Sequence, residues 1–225
     1  YENPLLDREG QKEICELSRR HEIQIPSMTG DCFMQEPFWK AYDTRAEYLR
    51  EDFRAVAAGC NAVGITMLIV PLVDNGRVQN AEQEDILVDY FDKERSYLKR
   101  LGVRVLFESD FEPMALLRFI ERFDPEGFGI NYDMGNSAAL GFDPAEEITT
   151  YGHRIMNVHV KDRELGGTTV PLGLGSVNFE ATFTALKASN YSGNYILQTA
   201  RATNGDHVGA LCRYRDMTVN WLKRA

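Results

Sequence analysis

Four residues suited to ligand or proton chemistry stand at the ends of apolar runs. VRVLFE ends in Glu108, FGINYD ends in Asp133, IMNVHV carries His159 as its next-to-last residue, and YILQTA breaks at Gln198. If these runs are neighbouring strands, two carboxylates, an imidazole and an amide gather at one end of a sheet. The like charges of Glu108 and Asp133 then need a counter-charge, and a divalent cation supplies one. Oxygen donors with a single imidazole suit Mn²⁺ or Mg²⁺ best, with Co²⁺ or Zn²⁺ as further options. None of the cysteines (Cys15, Cys32, Cys60, Cys212) falls at these positions, which argues against a structural thiolate zinc site. Taken singly, each residue also has an ordinary reading. A terminal Glu can cap the next helix, and a strand histidine is more often a satisfied core residue than a ligand.

The elements that must position these residues follow from periodicity. Six apolar runs begin at Ile23, Ile65, Val103, Phe128, Ile155 and Tyr195, most of them Val/Ile-rich and apolar on both faces, as strands covered on both sides are. Between them, DTRAEYLREDFRAVAAGCNAVG places Tyr48, Leu49, Phe53, Val56 and Ala57 on one stripe, and AEQEDILVDYFDKERSYLKRLG stops at Gly102. NPLLDREGQKEICELSRRHE and GDHVGALCRYRDMTVNWLKRA read as the first and last helices. Alternating strand and helix predicts a parallel sheet, either open and doubly wound or closed into a (β/α)8 barrel. No GxGxxG follows the first strand and no GxxxxGK[ST] loop occurs. One domain over residues 1–225, with six βα units, is the expectation.

Bulk properties narrow the classes. The 225 residues are 44% hydrophobic and 26% charged, ordinary for a globular chain with a sizeable core. A net charge of −9 disfavours nucleic acid as a partner. No apolar run approaches the roughly 18 residues of a membrane-spanning helix. The cysteines form no CxxC pair and read as reduced thiols, so with no leader segment read at the start a cytoplasmic location is expected.

In FES at Phe107, NYDMGN at Asn131, NVHVKDR at Asn157, PLGLGSVNF at Pro171 and YILQTAR at Tyr195, the chain resembles the xylose-isomerase-like TIM barrels. Within them it is most similar to the sugar-phosphate isomerases and epimerases of the L-ribulose-5-phosphate (L-xylulose-5-phosphate) 3-epimerase type. The resemblance implies a (β/α)8 barrel in carbohydrate metabolism whose divalent metal is held by Glu, Asp, His and Glu from four successive strands. Those roles carry over to Glu108, Asp133 and His159, but the fourth falls on Gln198, where the chain departs. It also implies that strands one and two lie outside the chain. Because a six-stranded remnant would leave unpaired edges, a further amino-terminal stretch of about 50 residues is expected, in keeping with the opening Tyr1.

The implied reaction removes a proton next to a sugar carbonyl through an enediolate, with Glu108 as base. Two-base epimerisation needs a second carboxylate, which Gln198 is not. Aldose–ketose isomerisation and dehydration each need one base, so a sugar dehydratase or lyase, or a non-catalytic sugar-binding barrel, stand as alternatives. An abasic-site endonuclease is disfavoured, because only His159 of the four histidines is placed as a ligand. Lys161, on the same side of its strand as His159, reads either as a catalytic contact to a substrate oxygen or phosphate or as a salt-bridge partner of Asp133 or Asp162. Asn136, Arg163, Ser176 and Arg201 are candidate substrate-binding residues. Phe33, Phe38 and Trp39 form either an apolar wall over the sugar or packing between helices. The expected partners are a small-molecule sugar or sugar phosphate and further copies of the chain, as a homodimer or homotetramer, with no nucleic acid and no membrane.

Overall fold

A computed structural model describes residues 3–225, so the amino-terminal call on Tyr1 lies outside the described residues. The chain divides into two compact units, residues 1–109 with 121–129 and residues 110–120 with 130–225.

The first unit opens with helix α1 (Arg8–His21), capped by Asp7, whose side chain accepts from the Gly10 N–H. Strands β1 (Ser27–Thr29), β2 (Met67–Leu72) and β3 (Arg104–Ser109) pair in parallel, with Thr29 opposite Ile69 and Ile69 opposite Leu106. Short α2 (Asp31–Gln35) and the long helices α3 (Asp43–Ala62) and α4 (Ala81–Leu101) make the connections. Helix α4 begins at an Asn80 cap and ends at Gly102, whose φ of 66° is the left-handed conformation expected of a helix-ending glycine. Every residue of β2 is buried, as a strand covered on both faces requires. An aromatic core fills the unit: Phe91 lies 5.2 Å from Phe53 and 5.5 Å from Phe107, ring centroid to centroid. Phe33, Phe38 and Trp39 belong to this core, and the Trp39 indole N–H donates to the Gly76 carbonyl. Packing, and not a wall over a ligand, is what those three residues do here.

Strand β4 (Phe128–Asp133) starts in the first unit, where the Val105 N–H donates to the carbonyl of Gly127 just before it, and ends in the second. There it pairs in parallel with β5 (Ile155–Val160). A small antiparallel hairpin, β6 (Asp162–Arg163) with β7 (Thr169–Val170), follows, and β8 (Asn194–Leu197) pairs in parallel with β5. Helices α5 (Pro113–Ile120), α6 (Met134–Leu140), α7 (Pro144–Tyr151), α8 (Phe179–Ala188) and α9 (His207–Arg224) complete this unit.

The six expected strands are all present, with two departures. The first run was expected to begin at Ile23, but Ile23 and Ile25 are exposed and only Ser27–Thr29 joins the sheet. Pro26 cannot donate a ladder hydrogen bond, which fits a strand that starts after it. The last strand, β8, is half-buried along its length instead of lying in the core. No helix among the described residues is long and apolar enough to cross a membrane.

Candidate metal centre

The second unit builds its chemistry by register. Asp133 stands directly opposite His159 across the β4–β5 ladder, and His159 stands opposite Ile196 of β8. Residues opposite one another share a face, and so do residues two apart on one strand. The Gln198 N–H continues the ladder by donating to the Val160 carbonyl at 3.1 Å. Asp133, His159 and Gln198 therefore share one face at the carboxyl ends of three adjacent strands, with Lys161 beyond His159. One layer down, Asn131 stands opposite Asn157, and Asn157 opposite Asn194.

Asp133 is both the last residue of β4 and the N-cap of α6, its Oδ1 accepting the Asn136 N–H at 2.8 Å. That leaves Oδ2 for other partners. It lies 3.3 Å from the Lys161 Nζ and 3.7 Å from His159 Nδ1. Burial alone would raise the Asp133 carboxyl, but the neighbouring His159 ring, the Lys161 ammonium and the Asn136 amide outweigh it and hold the group below the ordinary carboxylate range. His159 is buried and fixed from behind, with Asn131 Nδ2 3.1 Å from its Nδ1. Gln198 Oε1 is buried and has no hydrogen-bond partner.

A carboxylate oxygen, an imidazole nitrogen and an orphaned amide oxygen on one face fit a hard divalent cation, which would satisfy an acceptor otherwise left without a donor. Glu108 belongs to the first unit, next to last in β3, opposite Pro71 and buried.

The remaining expected residues divide. Lys161 forms the salt bridge weighed for it with Asp133, and its Nζ also donates to Asn136 Oδ1 at 3.2 Å. Arg163 donates to Asn136 Oδ1 at 2.9 Å and to the Gly167 carbonyl. Ser176 Oγ accepts from the Leu165 N–H, while Arg201 is exposed. The loop bearing Ser176 is shaped by Asp162, which accepts from the N–H groups of Gly173, Gly175 and Val177. A Cβ on Gly175 would stand 2.2 Å from Asp162 Oδ1, so only glycine fits there.

Three buried polar features went unread in the sequence. Asn131 and Asn157 each precede a candidate ligand by two residues on the same face, a spacing that could have marked them. The third is Glu147, buried with Ser137, Tyr132 and Tyr151 donating to its carboxylate, for which the sequence carries no signal.

Comparisons with known proteins agree with this architecture. A stretch of 108 residues is 33% identical to L-ribulose-5-phosphate 3-epimerase UlaE of Escherichia coli O1:K1 / APEC, covering 48% of this chain and 37% of that protein. The chain thus spans about a third of the length of the curated relatives it matches. Among solved structures, a xylose isomerase domain protein from Planctomyces limnophilus superposes with a TM-score of 0.80 at 20% identity, over 97% of this chain and 85% of that one. The IolI protein, solved with a bound zinc atom, superposes at 0.78 with 16% identity, over 95% and 82%. A family model described as the xylose isomerase-like TIM barrel matches residues 2–216, and with nearly the whole sequence so covered the chain belongs to that family.

Proposed function

We propose that this chain is a divalent-metal-dependent isomerase or epimerase acting on a sugar or sugar phosphate, with Glu108, Asp133, His159 and Gln198 as the metal-holding residues. The observation that carries the reading is the orphaned Gln198 Oε1 on the face shared by Asp133 and His159. Support comes also from the epimerase name of the partial-length relatives and the zinc bound by the IolI protein. Oxygen-rich donors favour Mn²⁺ or Mg²⁺ over Co²⁺ or Zn²⁺. A cation held by these residues would supply Lewis acidity beside the substrate carbonyl, where negative charge develops.

The chain's own residues do the rest. Glu108 takes the proton from the carbon beside the carbonyl. Asp133 is held in its ligand orientation by the Asn136 amide. Lys161, anchored on Asp133 and Asn136, offers its remaining donor to a substrate oxygen, and Asn136, Arg163, Ser176 and Arg201 supply substrate contacts, with a terminal phosphate as one ligand. Because an amide cannot return a proton, the one-base course of isomerisation suits Gln198 better than two-base epimerisation. The same substitution favours a sugar lyase or a non-catalytic sugar binder as the second reading.

The test is solvent exchange. With Mn²⁺ in D₂O, a panel of ketoses and ketose phosphates is followed by NMR for deuterium at the carbon next to the carbonyl. We expect uptake into at least one sugar, reduced by roughly 100-fold or more in Glu108→Gln with an unchanged circular dichroism spectrum. Sugar binding by calorimetry without exchange into any sugar would defeat the catalytic reading. Mn²⁺-dependent nicking of abasic DNA would defeat the sugar reading.

A further inference from the structure

We propose that Lys161 and Arg163 form the seat of a carboxylate joined to the substrate's carbonyl carbon, so that this chain acts on a ketose acid in preference to a neutral ketose. The inference rests on the reading above and narrows its substrate.

Arg163 is a cation without a counter-ion. Its Nε and Nη2 donate to the Gly167 carbonyl at 3.1 and 2.6 Å, and its Nη1 donates to Asn136 Oδ1 at 2.9 Å. These bonds all go to neutral oxygens, and among the described residues no carboxylate pairs with the guanidinium. An exposed arginine needs no partner, because water screens it. Arg163 is half-buried and held from two sides, so it has lost part of its hydration with no negative charge in return. One N–H on each terminal nitrogen is still unused, and a guanidinium with N–H groups to spare suits a carboxylate.

Lys161 stands beside it. Asn136 Oδ1 accepts from Lys161 Nζ at 3.2 Å as well as from Arg163, so both cations flank one oxygen. A Cβ on Gly135 would stand 2.8 Å from Lys161 Cγ and 3.2 Å from Arg163 Cγ, so the first turn of α6 is open where the stems lie against it. Asp133 Oδ2, 3.3 Å from Lys161 Nζ, is spent on that ammonium and on the proposed cation. Gln198 brings no charge. Neither residue neutralises Arg163.

Position selects the kind of anion. By way of Asn136 and Lys161 the seat is tied to a proposed metal donor, and so it lies beside the reacting carbonyl. A carboxylate on the carbonyl carbon has its charge there. A phosphate on the last carbon of a sugar carries its charge several bonds farther away.

The probes are 2-keto-gluconate and fructose, which share a carbon skeleton and differ only at the end carbon next to the carbonyl, a carboxylate in one and CH₂OH in the other. Each is titrated in its D and L forms into the metal-free protein and followed by NMR, with fructose 6-phosphate as the remote anion. We expect the acid to bind roughly 10–100-fold more tightly than fructose, as charge-assisted hydrogen bonds imply, with fructose 6-phosphate close to fructose. In Arg163→Gln, with the fold checked by circular dichroism, this preference should be lost. Binding of the acid no tighter than that of fructose overturns the proposal without need of a variant. Tighter binding of fructose 6-phosphate than of the acid also overturns it, and so does a preference for the acid that survives in folded Arg163→Gln. If the acid binds as expected but no sugar takes up deuterium with Mn²⁺, the seat stands and the catalytic reading fails.

Discussion

The Lys161 ammonium lies 3.3 Å from Oδ2 of Asp133, the oxygen of that carboxylate not used to cap α6. A dication bound through the same oxygen has this positive charge as a close neighbour. Lys161→Met removes the repulsion while keeping an apolar stem of similar length. We expect Mn²⁺ to bind roughly tenfold more tightly, as about 1.4 kcal/mol of like-charge interaction implies, and solvent-deuterium uptake to fall if Lys161 is the donor to substrate proposed above. Calorimetry and exchange measured on the same variant check both. Weaker metal binding would show that Lys161 supports the Asp133 geometry and does not compete for it.

Asp162 is 0% exposed and spends its carboxylate on three backbone N–H groups of residues 173–177. Asp162→Ala strands those amides, and we expect a loss of about 3 kcal/mol in urea unfolding. A loss below about 1 kcal/mol would mean that water replaces the carboxylate. Ser176, whose N–H donates to the Arg163 carbonyl, moves with this loop, so substrate affinity should weaken alongside stability.

What was legible in the sequence was whatever local pattern controls. Val/Ile runs marked the strands, Gly102 marked the end of α4, and the residues closing each run marked the candidate metal donors. Each of these signals lies within a few residues of its consequence. Asn131 and Asn157 were not legible because their meaning depends on a cross-strand register that joins positions far apart in the chain. The β6–β7 hairpin escaped for another reason. Asp162–Arg163 and Thr169–Val170 are too short for a period-2 pattern, and they are held by the Asp162 and Arg163 side chains more than by strand preference. Phe38 and Trp39 had two readings because aromatic character is the same in a wall and in a core. Only the ring contacts, such as Phe38 to Tyr90 at 4.6 Å, decide between them.

Glu147 carries a pH signature. Burial raises its carboxyl above the ordinary 4.5, and the hydroxyls of Ser137, Tyr151 and Tyr132 offset this only in part. A carboxyl raised in the folded state favours folding when protonated. Its contribution is fully present below the unfolded pKa and is lost as pH rises through the folded one. We expect the stability difference between Glu147→Gln and the unsubstituted chain to shift in favour of the variant as pH is raised from acidic to neutral. Urea unfolding of both proteins across that range measures it. A difference that stays constant with pH would refute the assignment.

Gln198 is where the candidate centre departs from the Glu, Asp, His and Glu set that the resemblance implies. Its buried Oε1 lacks a donor, and the amide brings no charge to the site proposed to hold a dication. Gln198→Glu restores the charge on an isosteric frame. In the metal-free protein the new carboxylate would be buried on the face that already holds Asp133, so stability should fall at neutral pH and recover when Mn²⁺ is added. With metal, binding should tighten by roughly tenfold or more, since ligand charge is a principal lever on dication affinity. The added carboxylate also supplies a second proton acceptor, so exchange should extend to epimerised product, visible as a new diastereomer by NMR. Unchanged metal affinity in a folded Gln198→Glu protein would place residue 198 outside the cation's reach.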